Sequence, residues 1–320
     1  MLNSKEVRKI TRAYNELGAV LVEYEMIHHI VWQNSVVSTL KGLHVPILVH
    51  HPETKEFHIN FAKSLFQTIR EATCLQRIGL EIPANIKILL HGERELKSNF
   101  NTMKFILEDY SDLKNSVPQV LKVLMEPLLQ RIINSLKPGT TVLTWSSLLL
   151  NSFFSDVKEE LSYVRNILKE ILDIMKARID VLLEDICNTS LIDFPEDEVL
   201  SLYEFIDRTK KCCDKCILEL NFKIQAIHNS IQDLIGIFMT EGTKCREIST
   251  KKEIYIANLR KTYFIGDDTD EIDAQEDSFF SLHEEYDELR HFFGTKITDS
   301  IIHCIRHSLV VLHKRVVSKS

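Results

Sequence analysis

The stretch LSYVRNILKEILDIM (161–175) decides how this chain folds. Leu161, Val164, Leu168, Ile171 and Met175 follow one another in alternating steps of three and four, the rhythm of a helix with one apolar seam. A second run keeps the same rhythm through Cys213, Cys216, Leu220, Ile227, Ile231, Leu234 and Phe238. Between them lies NTSLIDFPEDE (188–198), a loop whose end carries a helix-start signal. Two long helices joined by a modest loop read as an antiparallel hairpin that buries its two seams against each other. A helix of about 40 residues spans roughly 60 Å, so the expected proportions are those of a rod or stacked bundle.

Composition supports that reading. Of 320 residues, 44% are hydrophobic and 27% charged, a globular balance, yet only 9 are Gly and 7 are Pro. So few turn formers favour a small number of long elements. The net charge of −7 lacks the basic excess expected of a nucleic-acid or anionic-membrane surface. Seven scattered cysteines and a charged, amphipathic start, MLNSKEVRKITRAYNE, fit a reducing compartment without a secretory signal. The longest uncharged run, about 138–155, is too short and too polar for a membrane span, so neither membrane nor nucleic acid is an expected partner.

Working outward, Ile10, Tyr14, Leu17, Leu21, Tyr24 and Val31 mark one face of a first helix over about 4–40. VPILV (45–49) and FHINF (57–61) flank a turn-rich stretch and predict one small β-hairpin near 45–61. Helical spacing resumes at Phe61, Leu65 and Ile69, and Gly79 with Pro83 closes that element. Helices are expected over about 84–115 and 118–136, with a firm break at Pro138-Gly139. The fold class is therefore mainly α, an elongated stack of helical bundles. The expected domains are 1–140, a helical region with the hairpin; 141–265, a long helical hairpin; 266–277, an acidic linker; and 278–320, a C-terminal helix.

Searches for chemistry point away from catalysis. Cys212, Cys213 and Cys216 form CCDKC, but a closed zinc site normally takes four ligands and no second CxxC exists. His303 and His307 have the spacing of a zinc-protease helix, yet Cys304 stands where the general-base Glu belongs. EGTK (241–244) and GTK (294–296) lack the leading glycine of a phosphate loop. The acidic run 266–277 lacks the central Gly and closing Glu of a calcium loop. No cofactor and no catalytic or metal residue is expected. Trp145 reads either as a recognition hot spot or as a core anchor, with the anchor favoured.

Three segments resemble the N-terminal tail of dynein heavy chains. WQNSVVSTLKGLHVPILV (32–49) and FHINFAKSLFQTIREATCLQRIGLEIP (57–83) carry Trp32, Asn60-Phe61, Arg70-Glu71-Ala72, and Gly79 with Pro83; LKPGTTVLTWSS (136–147) carries Pro138, Gly139 and Trp145. The likeness covers about 20–190, and the later helices are similar in style to the axonemal branch. Ala62 departs from the Asp that often follows Asn-Phe in the family. The resemblance implies a non-catalytic tail, with the microtubule motor ATPase belonging to a ring outside this chain. It implies intermediate and light chains, other heavy chains and axonemal docking factors as partners. It also implies a place in cytoplasm, cytoskeleton and ciliary axoneme. A helical-rod tether of another cytosolic assembly is the alternative, and a metal-dependent enzyme a more distant one.

Overall fold

The computed structural model describes residues 5–54, 56–191, 201–263 and 282–318. The acidic stretch 266–277 and most of the loop 188–198 lie outside the described residues. The architecture is mainly α with one small hairpin, as the periodicity predicts. The chain divides into two compact units, each built from two stretches of sequence: Met1–Ser111 with Ser135–Glu159, and Asp112–Asn134 with Glu160–Ser320.

The first unit opens with helix α1, Lys5–Leu40, and one 3-10 turn. Strands β1, Leu48–His50, and β2, Phe57–Ile59, then pair antiparallel with Leu48 opposite Ile59 and His50 opposite Phe57. The turn between them is closed by the His51 amide donating to the Glu56 carbonyl at 2.8 Å. Helix α2, Lys63–Arg77, starts after Ala62, which offers no side-chain cap. It ends at Gly79, whose φ of +86° favours a residue without Cβ. The Gly79 amide donates to Gln76 and the Leu80 amide to Leu75, the paired bonds of a Schellman end.

One expectation is revised here. The single helix foreseen over 84–115 is two, α3 (Ala84–His91) and α4 (Glu93–Ser116), interrupted at Gly92, which sits at φ −82°, ψ 1°. Glycine holds helical geometry poorly, and the chain bends there. Pro138-Gly139 is also more than a break: it begins a one-turn helix, α6 (Pro138–Thr141), with proline at the first position where its missing N–H costs nothing. Unit one also takes in the last residues of helix α5, Lys122–Leu136, and the start of α7, Leu150–Asp173.

The second unit is built on the seam that begins at Leu161. Leu161, Val164, Leu168 and Ile171 are all buried, but Met175 is only half-buried and Ile174 takes the interior place. The next buried residue is Ile179, a step of five, before Leu183 and Ile186 restore steps of four and three. Five is too long for an α-turn, and residues Ile174–Asp180 wind as a π-helix, which absorbs the extra residue and returns the seam to its side. Helix α8, Val181–Asn188, follows and packs against both α9, Leu202–Tyr263, and α10, Leu282–Ser318. The expected two-helix hairpin is thus part of a three-helix packing. On α9, Leu220, Ile227, Ile231, Leu234 and Phe238 face the core, while Cys213 and Cys216 are only partly covered.

Candidate functional site

Of the eleven residues that carry the resemblance, ten gather into two clusters, both in the first unit. One is the joint between the hairpin and the stretch 138–147. Asn60 is its pivot: its amide donates to the Ile47 carbonyl at 2.9 Å, its side-chain Nδ2 donates to the Pro46 carbonyl at 2.9 Å, and its own carbonyl accepts from Trp145 Nε1 at 2.7 Å. Only a short side chain with a donor at that distance can reach back over the strand end. The Ile47 amide donates to the Leu143 carbonyl at 3.0 Å, and Pro46 bridges Thr144, so the two segments are zipped by backbone as well.

Aromatic packing seals this joint. Trp145, 5% exposed, meets Phe61 edge-on at 5.2 Å, and Phe61 stacks obliquely with Phe66 at 4.6 Å and Phe100 at 4.9 Å. Such pairs add roughly 0.5–1.5 kcal/mol beyond their burial. Gly139 is buried beneath β1: a Cβ there would lie 3.0 Å from Leu48 Cδ1 and 3.2 Å from Ile47 Cγ1, so the hairpin approaches over bare backbone. Pro138 fixes the turn that brings that glycine in. Trp145 is therefore a core anchor, and its indole is spent inside the unit.

The second cluster ties α1 to α2 and α3. Trp32 Nε1 donates to Glu71 Oε2 at 2.9 Å, and Gln67 donates to the other oxygen of Glu71 at 2.8 Å. The His29 ring lies parallel to Trp32 and donates to the Glu81 carbonyl at 2.9 Å. Beneath these bonds Val36, Ala72, Ile82 and Ile86 form a small apolar core. Gly79 turns the chain out of α2, and Pro83 starts α3 with its carbonyl accepting from the amides of Ile86 and Lys87. Arg70 is exposed beside this cluster and takes no part in it.

Sequence reading did not reveal Ile47, Thr144 or Gly42 as parts of these joints. A Cβ at Gly42 would come within 3.0 Å of Ala62 Cβ, so helix α1's exit is pressed against the start of α2. No local pattern could have shown this, because the partners are distant in sequence. The apolar face of α1 was visible, but not that it would stay bare. Between residues 10 and 31 nearly every large apolar side chain is exposed, among them Ile10 at 70%, Tyr14 at 75% and Leu17 at 59%.

Comparison with known proteins places these joints in a family. Residues 1–153, which contain all eleven of these positions, match the family model described as dynein heavy chain, N-terminal region 1. Along 330 residues the sequence is 30% identical to dynein axonemal heavy chain 8 of Homo sapiens, covering 99% of this chain and 7% of that protein. It is 26% identical over 257 residues to the dynein gamma chain of the flagellar outer arm of Chlamydomonas reinhardtii, covering 79% of this chain and 6% of the relative. This chain belongs with the N-terminal regions of axonemal dynein heavy chains. It spans less than a tenth of the length of those relatives.

In this dynein segment two of the cysteines serve helix packing. Cys304, buried on α10, donates to the Thr189 carbonyl at 3.0 Å, and Cys216 on α9 donates to the Ser190 carbonyl at 3.2 Å. The two thiols thus satisfy carbonyls left open where α8 ends. Burial pushes both thiols above their ordinary range, with nearby Glu219 adding to the effect at Cys216. His303 and His307 are exposed on either side of Cys304. Among the described residues no three His, Cys, Asp or Glu side chains are grouped to hold a metal, and no helix is long and apolar enough to cross a membrane.

Lys223 on α9 is the charged counterpart of these thiols. It reaches Asp185 at 2.8 Å, Glu219 at 2.9 Å and the Thr189 hydroxyl at 3.0 Å. Burial pulls its ammonium down, but the two carboxylates outweigh this and hold it above the usual lysine value.

Proposed function

We propose that this chain is a non-catalytic tail arm of an axonemal dynein heavy chain, acting as a scaffold on which the motor complex assembles. Its partners in this reading are dynein intermediate and light chains, other dynein heavy chains and axonemal docking factors. Its place is the cytoskeleton of the ciliary axoneme, and its contribution to microtubule-based, minus-end-directed movement is to hold rather than to hydrolyse ATP.

The observation that carries the proposal is the run of large apolar side chains left in solvent on long helices of both units. In the first it is α1; in the second it is the start of α9, where Leu202, Tyr203, Ile206, Ile217, Leu218 and Phe222 are all more than half exposed. Contiguous apolar faces of this kind mark surfaces meant to be covered by protein. The signature residues fit the same role: they brace the first unit from within and leave its outer helix free.

The test is affinity capture by the whole chain from an axonemal extract, read by mass spectrometry. Recovery of dynein intermediate, light or heavy chains is expected, and should fall when Leu218 and Phe222 are changed to Glu. Recovery of Rab-type or lipid-linked tethering proteins without dynein subunits would overturn the reading in favour of a tether.

A further inference from the structure

We propose that Cys213 and Cys216 are a redox-modification site: hydrogen peroxide joins them in a reversible disulfide, and the new bond releases the segment that leaves α8. The pair is the C-x-x-C within CCDKC, a motif that helix packing explains only through Cys216. The proposal stands whether or not the scaffold reading holds. Spacing, access and a tether carry it.

Spacing comes from the helix. Both residues lie inside α9, three apart, and Cα atoms three apart on an α-helix are separated by about 5 Å. Disulfides take Cα separations of about 4.4–6.8 Å. Cys212, four residues before Cys216, stands farther off, at about 6 Å. The Cβ atoms of such helix neighbours lie about 5–6 Å apart, wider than the ~3.5–4.5 Å of a relaxed disulfide. The bond therefore forms at the cost of strain in its turn, and strained disulfides are the ones that other thiols reduce readily. Such a bond suits switching rather than stapling.

Access separates this pair from the packed cysteines. Cys213 and Cys216 are both partly exposed, whereas Cys245 and Cys304 are buried. The tether gives oxidation a structural consequence. The Cys216 thiol donates to the Ser190 carbonyl at 3.2 Å and lies 3.8 Å from the Leu191 carbonyl. A disulfide sulfur has no proton to donate, so oxidation ends this bond. Thr189 keeps its links to Cys304 and Lys223, which confines the release to residues 190–191.

The chemistry balances with peroxide alone. Burial and Glu219 favour the protonated thiol at Cys216, so the first attack falls to the Cys213 thiolate. Its sulfur takes one peroxide oxygen as a sulfenic acid, and the other leaves as hydroxide. Cys216 sulfur then attacks Cys213 sulfur, and the sulfenic oxygen departs with the Cys216 proton as water. The hydroxide takes up the proton that Cys213 gave. Two thiols and one peroxide thus become one disulfide and two waters, the sulfurs losing the two electrons that the peroxide gains.

The test treats the whole reduced chain with hydrogen peroxide, alkylates it, and cuts it with trypsin in the absence of reductant. Trypsin cuts after Lys211, Lys215 and Lys223, so residues 212–215 and 216–223 should emerge joined and come apart in dithiothreitol. Cys212→Ser should keep the link and Cys213→Ser should abolish it. The Leu191 amide, which donates to Ser308 Oγ at 3.2 Å, should exchange its hydrogen about fivefold faster after oxidation, the factor that one hydrogen bond is worth. In Cys216→Ser, whose hydroxyl still donates, peroxide should leave that exchange unchanged. Cysteines that all remain open to alkylation after peroxide would overturn the proposal. So would a link from Cys216 to Cys212 or Cys304, or a Leu191 exchange rate unmoved by the disulfide.

Discussion

The two units of this chain are held together by different means. In the first, a few polar and aromatic joints fix short elements: Trp145 on Asn60, Trp32 on Glu71, and Gly139 beneath β1. In the second, long helices share apolar seams, and thiols on α9 and α10 bond the carbonyls where α8 ends. The contrast teaches where single residues matter. A joint concentrates its free energy in one or two side chains, whereas a seam spreads it over many.

The sharpest way to break the contrast is at its two centres. Trp145→Ala should destabilise the first unit by about 3–5 kcal/mol, since it empties a large buried site and orphans the Asn60 carbonyl. Trp145→Phe should recover much of the packing while the lost hydrogen bond remains measurable in a denaturant titration. Ile171→Ala, at a fully buried seam position, should cost about 2–5 kcal/mol, felt in the second unit. If Ile171→Ala proved the more damaging by far, the distinction between joint and seam would fail. Gly139→Ala comes next at about 1–3 kcal/mol, because its methyl meets Leu48 and Ile47 at overpacked distances.

Smaller effects sharpen the comparison. Deleting Ala177 removes the extra residue of the π turn and converts the step of five into four. The second unit should tolerate it far better than deletion of Val164, which breaks the seam, and thermal melts of the two variants would show this directly.

Alkaline pH probes the second unit's helix ends. The folded Cys216 and Cys304 thiols titrate above their ordinary value of 9.0. Their contribution is therefore fully present below that pH and lost as pH rises through the folded values. Lys223, also raised, adds a loss further into the alkaline range. A melting temperature lower by a few degrees at pH 10 than at pH 8 is expected, with a smaller drop in Cys304→Ala. Ala62→Asp should act the other way: it supplies the missing cap of α2 and should stabilise the first unit by about 0.5–2 kcal/mol, read as a raised melting temperature.

Much of the fold was legible along the chain. The hairpin showed in the alternation of Phe57, Ile59 and Phe61, and the end of α2 showed in Gly79, because both depend on local geometry. The break at Gly92 and the π turn were missed for opposite reasons. A single glycine is a weak stop within a helical pattern, and a step of five is invisible when Ile174 and Met175 are both acceptable seam residues. The candidate site was legible only as a set of residues. That Trp32 and Glu71 form one bond while Asn60 and Trp145 form another could not be read, because nothing local encodes a pairing across 39 or 85 positions.

What the sequence by itself determined was the kind of element at most places along the chain. Propensity, periodicity and turn chemistry act over a few residues and are written in order. Only the tertiary structure decided how those pieces combine: that residues 135–159 join the first unit and 112–134 the second, that Gly139 must be bare beneath Leu48, and that α1 keeps its apolar face in solvent. The physical reason is that burial belongs to a residue's neighbours as much as to the residue. The stripe from Ile10 to Val31 and the stripe from Leu161 to Ile171 look alike in sequence, and only the fold shows that the second is core and the first stays in solvent.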